Sequence, residues 1–231
     1  MDKKRLIAAA AAGVLLLACG LSVAYFTDYD SRDNVFTVGK VGLELNEEHY
    51  TDRQTARPAE KLPKDPTVKN TGINDEYVFL EVSVPKRELT LLGDNGTPVG
   101  AKALTEAFDF FAEESPQTVS GSSFIYNGAA AGAEGWVFLE RNDSAGEVTY
   151  VFGYSRKLSA GEETVSLFDK FALKRFIEEE LTGGSRLSVP VRAYGIQADS
   201  LDGAEGVPAD GSDPSVEALR SIFGICSNKK E

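Results

Sequence analysis

Along most of this chain apolar and polar residues alternate, at the period of a half-buried β-strand. The clearest run places Val78, Leu80, Val82 and Val84 on one face and Tyr77, Phe79, Glu81 and Ser83 on the other, and Pro85 is expected to end it. Val148, Tyr150, Phe152 and Tyr154 form a second face within a strand predicted over 147–156. Further strands are predicted over 122–126, 135–140 and 187–198, and Pro190 marks the last as an edge or a bulge. Nearer the start, Val41, Leu43 and Leu45 alternate in one phase and Phe36 and Val38 in the other. One continuous strand cannot bury both sets on a single face. The phase change at Gly39-Lys40 therefore predicts a break, with 33–38 serving a different sheet from 40–45.

Helical spacing occurs three times. Leu104, Ala107, Phe108 and Phe111 make one stripe, and Leu173, Phe176, Ile177 and Leu181 another, opened by a capping-box pattern at Ser166 to Asp169 and closed by Gly183-Gly184. The third starts with Asp213 as N-cap and Pro214 in the first turn, carries Val216, Leu219 and Phe223 inside, and ends at Gly224. Asn70-Thr71-Gly72 reads as a turn. Many short strands with turn signals and helices in the connections describe a mainly β fold, a jelly-roll-like β-sandwich with a few short inserted helices.

The first residues change the picture. Lys3, Lys4 and Arg5 precede the apolar run Leu6 to Ala18, and Ser22-Val23-Ala24 supplies small residues at a cleavage site. Thirteen apolar residues fall short of the ~20 that span a bilayer, so cleavage between Ala24 and Tyr25 is the expected outcome, with the membrane met only in transit. This divides the chain into a signal (1–24), an extended segment (25–38) and a single β-sandwich domain (39–231). Leu16-Leu17-Ala18-Cys19 loosely resembles a lipoprotein processing site, with Leu17 a poor match, so lipidation of Cys19 stays open as an alternative.

Losing residues 1–24 leaves 21 basic against 35 acidic residues, a formal charge of −14 on 207 residues. Such a chain repels polyanions, and nucleic acid is excluded as a partner. Cys226 is then the one cysteine left. No internal disulfide can form, packing must hold the domain together, and the thiol reads as a tail group without a role.

Few residues offer chemistry. His49, the one histidine, stands among Glu47 and Glu48 in a polar stretch and reads as exposed and solvated. No His-Glu-x-x-His helix, multi-histidine zinc site or phosphate-binding glycine loop is present. The glycines from 128 to 135 read as a flexible loop, and the four aspartates from Asp199 to Asp213 as a solvated connector. No catalytic residue, cofactor or metal site is expected.

Several segments together resemble a known family: Ala24-Tyr25-Phe26-Thr27-Asp28, then Asn34 to Val41, then Lys64 to Gly72, then Tyr77 to Val82, and finally Val191 to Asp199. They are similar to the secreted TasA and camelysin proteins of Gram-positive bacteria, whose signals are cut by a SipW-type peptidase. Residues 86–146 match no motif. The resemblance implies a jelly-roll subunit of extracellular matrix fibres whose partners are copies of itself or related subunits, with the signal peptidase met during export. It also implies donor-strand exchange, with Val35, Phe36, Thr37 and Val38 as the candidate donor strand. Two alternatives accompany it: a camelysin-like cell-surface metalloendopeptidase, and a monomeric surface-anchored binding module.

Overall fold

A computed structural model describes residues 42–50, 57–130, 133–181, 187–201, 207 and 212–228. All the described residues fall within one compact unit, Asn34–Glu231.

The fold is mainly β, its antiparallel sheets packed as a β-sandwich. Its central strand is β4 (Glu76–Leu89), flanked by β10 (Glu147–Tyr154) and β12 (Val191–Gln197), and β9 (Trp136–Asp143) pairs with β10. The other layer is built from β1 (Leu43–Asn46) with β3 (Thr67–Asn70), from β2 (Lys61–Pro63), β11 (Lys170–Leu173) and β6 (Phe108–Phe111), and from the ribbon β7 (Pro116–Thr118) with β8 (Ile125–Asn127). Alternation decides which side chains fill the space between the layers. Val78, Leu80, Val82 and Val84 of β4 meet Val148, Tyr150, Phe152 and Tyr154 of β10, in the phase read from the sequence. Phe124 is the hinge of an aromatic cluster, stacked on Phe110 at 4.1 Å and edge-on to Phe168 at 5.8 Å. Offset and edge-on rings each add about 0.5–1.5 kcal/mol to what their buried area contributes.

The opposite phase of the same strands is buried too. Tyr77, Phe79, Leu139, Val151, Tyr194 and Ile196 lie under the one α-helix among the described residues, α1 (Val216–Asn228), which brings Leu219, Ile222, Phe223 and Cys226 against them. Ser215 rather than Asp213 caps this helix: its Oγ accepts the Ala218 N–H at 3.2 Å, and its carbonyl accepts that of Leu219. Gly224 lies inside the helix, not at its end. Cys226 is fully buried, so the thiol is part of the core instead of an idle tail group.

Two of the predicted helices do not form. Leu104 lies on β5 (Ala103–Glu106), which pairs with the far end of β4, while Phe108 and Phe111 lie on β6, which pairs with β11. Between them Ala107 donates its N–H to Pro85 and accepts that of Lys174, which breaks the phase. Two short period-2 runs out of step thus imitate one helical stripe. Leu173 ends β11, and the residues after it bond back to 90–92, leaving only a 3-10 turn at Glu178–Glu180. The Ser166–Asp169 pair, predicted to cap that helix, instead braces the buried side chain of Asn127, which donates to both residues. Nor does Pro85 end β4. The proline needs no N–H there, because the strand changes partners from β10 to β5 just beyond it. Pro190 precedes β12, an edge strand as expected, and its carbonyl accepts the Ser83 N–H. The glycines of 128 and 135 are not slack either: Gly128 bridges Trp136, and Ala129 N–H bonds the Trp136 carbonyl at 2.9 Å.

Candidate functional site

The residues around Gly42 are unusual for an interior. The Gly42 carbonyl accepts the N–H groups of Thr71 and Gly72, at 2.7 and 3.1 Å, where Asn70 forms the expected turn by accepting the Gly72 N–H on its side chain. Its own N–H donates to Glu76 Oε1 at 3.2 Å. Leu43, the next residue, enters the sandwich directly over Gly195 of β12. A methyl group at Gly195 would sit 2.6 Å from Leu43 Cδ1, so the strand crossing depends on a residue without a side chain.

Glu76 occupies a core-facing position of β4 and is fully buried. Its Oε2 has no hydrogen-bond partner among the described residues. Burial pushes the carboxyl up to about 7, against a smaller downward pull from the Gly42 N–H. The alternation that revealed β4 also carries the signal of this group: Glu76 falls in register with Val78 and Leu80, a charged residue where the pattern demands an apolar one.

A second polar cluster lines a cleft of about 660 Å³ between the ends of β4, β5 and β9. The Tyr150 hydroxyl donates to Glu106 Oε1 at 2.7 Å and accepts from Arg141 Nε at 3.4 Å, with Ser122 Oγ 2.7 Å away. Desolvation raises the phenol to about 12, the Ser122 hydroxyl opposing it. Each cation there has a carboxylate partner: Lys86 with Asp143 at 2.6 Å, Arg141 with Glu106 and Asp143 at 3.1 Å, and Lys174 with Asp109 at 3.1 Å. The cleft is internally neutralised. Sequence reading missed it because its members come from segments that match no motif.

His49 is exposed at the surface, as expected, and its Nδ1 lies 2.6 Å from Asp65 Oδ2. The hydrogen bond to Asp65 raises the imidazole above its ordinary value. Beside it Lys64 is buried, paired with Glu47 and set 4.1 Å over the Tyr50 ring. The residues singled out for processing, Ala24 and Tyr25, and for strand donation, Val35, Phe36, Thr37 and Val38, lie outside the described residues, as does Cys19.

The family model of the camelysin metallo-endopeptidases matches residues 3–91, the part of the chain that holds the leading segment, β1 to β3, and all of β4. Over that stretch, less than half of its length, the chain is similar to the camelysins, a family of extracellular or cell-surface proteins. No curated protein and no solved structure matches the chain. No helix among the described residues is long and apolar enough to cross a membrane.

The name camelysin metallo-endopeptidase implies a catalytic metal, and the described residues are not arranged to fit one. The single histidine is engaged by Asp65, and Glu47 is engaged by Lys64. Among the described residues no three His, Cys, Asp or Glu side chains are grouped to hold a metal ion. Zinc peptidase centres need three protein ligands around one open position.

Proposed function

We propose that this protein is an exported, non-catalytic subunit of extracellular fibres, freed by cleavage after Ala24 and joined to its neighbours by donation of residues 25–38. The observation that supports this reading is the outer edge of β12. That strand pairs with β4 on one side and has no strand partner on the other among the described residues. A strand added along such an edge bonds its main chain while its alternate side chains fill the adjoining groove. Leu43, five residues after Val38 in the chain, packs over Gly195 of β12. Phe36 and Val38, in the opposite phase from Leu43, are the side chains that would fill the groove.

Deleting residues 25–38 is expected to abolish filaments in electron micrographs while circular dichroism still reports a folded β domain. Filaments of unchanged abundance from the shortened protein would overturn the proposal. His49→Ala is expected to leave filaments intact, and loss of a measured peptidase activity in that variant would count for the enzyme reading instead.

A further inference from the structure

The buried carboxyl at the root of the leading segment has a use of its own. We infer that Glu76 is a proton-operated latch on β1: with the carboxyl protonated the strand stays seated over Gly195, and with the carboxyl ionised its hold on the body weakens. The latch stands on the geometry alone, and its effect on assembly rests on the function proposed above.

Three observations converge on it. Glu76 Oε1 accepts the N–H of Gly42, the residue just before β1, at 3.2 Å. Oε2 is buried with no partner among the described residues. Leu43 fills the space over Gly195, which shuts water away from the carboxyl. A neutral carboxyl tolerates an unpartnered oxygen far better than a buried carboxylate does, because the ionised form loses its hydration without a compensating charge. Among the described residues no charge on the surrounding elements compensates it. Glu44 on β1 is exposed, and Lys69 on β3, Asp75 before β4 and Lys157 beside Leu158 are half-buried. Glu162 is bound to Arg156, and Arg192 on β12 is bound to Glu81 on the far face. Burial, the larger cause, raises the carboxyl and the Gly42 N–H opposes it.

The sign follows. A carboxyl raised from its ordinary value to about 7 binds its proton more tightly with β1 seated than with β1 released. Seating is therefore strongest below the ordinary glutamate range and is lost as pH rises towards 7, flattening above it. Opening the strand at pH 8 rather than pH 5 gains on the order of fiftyfold.

Hydrogen exchange of the β1 amides, corrected for intrinsic rates, tests this on the exported protein at pH 5 and pH 8. Protection over 42–46 is expected to fall at least tenfold at pH 8, while the amides of Val151 and Phe152 keep theirs, and Glu76→Gln is expected to make β1 protection indifferent to pH. Equal β1 protection at both pH values, a fall shared by the whole molecule, or an unchanged pH response in Glu76→Gln would each overturn the latch. If Glu76→Gln does not fold, the Glu76 carboxyl is titrated in the wild-type protein by carbon NMR, and a midpoint below 5 refutes it. Filaments are scored separately: their absence at both pH values refutes the fibre reading while the exchange result still decides the latch.

Discussion

Gly135 offers a sharp test of how tightly the 128–135 segment is held. A Cβ at this position would lie 2.6 Å from Ala129 N and Gly128 C and 2.7 Å from Gly128 O, against 3.4 Å for ordinary contact. All three are backbone atoms, so no flexible side chain can give way, and Gly135→Ala must push the facing main-chain segments apart by about 0.7 Å. Three hydrogen bonds sit in the path of that movement: Ala129 N–H to the Trp136 carbonyl, Ser155 N–H to the Gly135 carbonyl, and Gly135 N–H to Ser155 Oγ. Overpacking costs about 1–3 kcal/mol, and each weakened hydrogen bond adds about 0.5–1.5 kcal/mol. Alanine recovers about 0.4–1 kcal/mol by restricting the unfolded chain. The net expectation is a loss of about 2–7 kcal/mol, read as a lower urea midpoint at unchanged slope and a melting temperature lower by roughly 5–25 °C. Gly146→Ala is the control, since a Cβ there meets nothing within 4 Å, and it is expected to stay within about 0.5 kcal/mol of wild type. If Gly135→Ala were as stable as that control, the segment would be the loose loop its composition suggests, and the close approach described above would be wrong.

Tyr150→Phe removes the hydroxyl that joins Glu106, Ser122 and Arg141, and is expected to cost about 1–3 kcal/mol because Glu106 loses a partner in a half-enclosed site; an unchanged urea midpoint would refute the network. In the native protein Cys226 is expected to resist a thiol reagent until denaturant is added, and Cys226→Asp to unfold the contact between α1 and the sheet; rapid labelling of the folded protein would contradict its burial.

Much of the fold was legible because long strands announce themselves. β4, β10 and β12 are each seven or more residues of sustained alternation, and α1 carries its stripe over three turns. The short strands were not legible, for a physical reason. β5 and β6 are four residues each and meet at Ala107, where the partner sheet changes, so their apolar residues are set by two registers that local spacing merges into one. Pro85 misled in the same way, since whether a proline ends a strand depends on which neighbour would have used its N–H. The candidate site divides similarly. The turn at Asn70 could be read locally, whereas the Gly195 crossing and the Tyr150 cluster join residues far apart in the chain. Glu76 could have been found from its place in the alternation; its unpartnered oxygen could not.

The two margins of the five-stranded sheet differ. On β9, Arg220 of α1 lays its Nε on the Leu139 carbonyl at 2.9 Å, Ala129 takes that of Trp136, and the remaining residues to Asp143 are exposed and largely charged. On β12 the Gly195 carbonyl accepts the Cys226 thiol of α1 at 3.6 Å, and among the described residues no strand pairs beyond it. Under the proposed donation of 25–38 the contact between copies is head-to-tail, so each link would repeat the last and the resulting thread would have a direction, with one end that grows by accepting and another by offering.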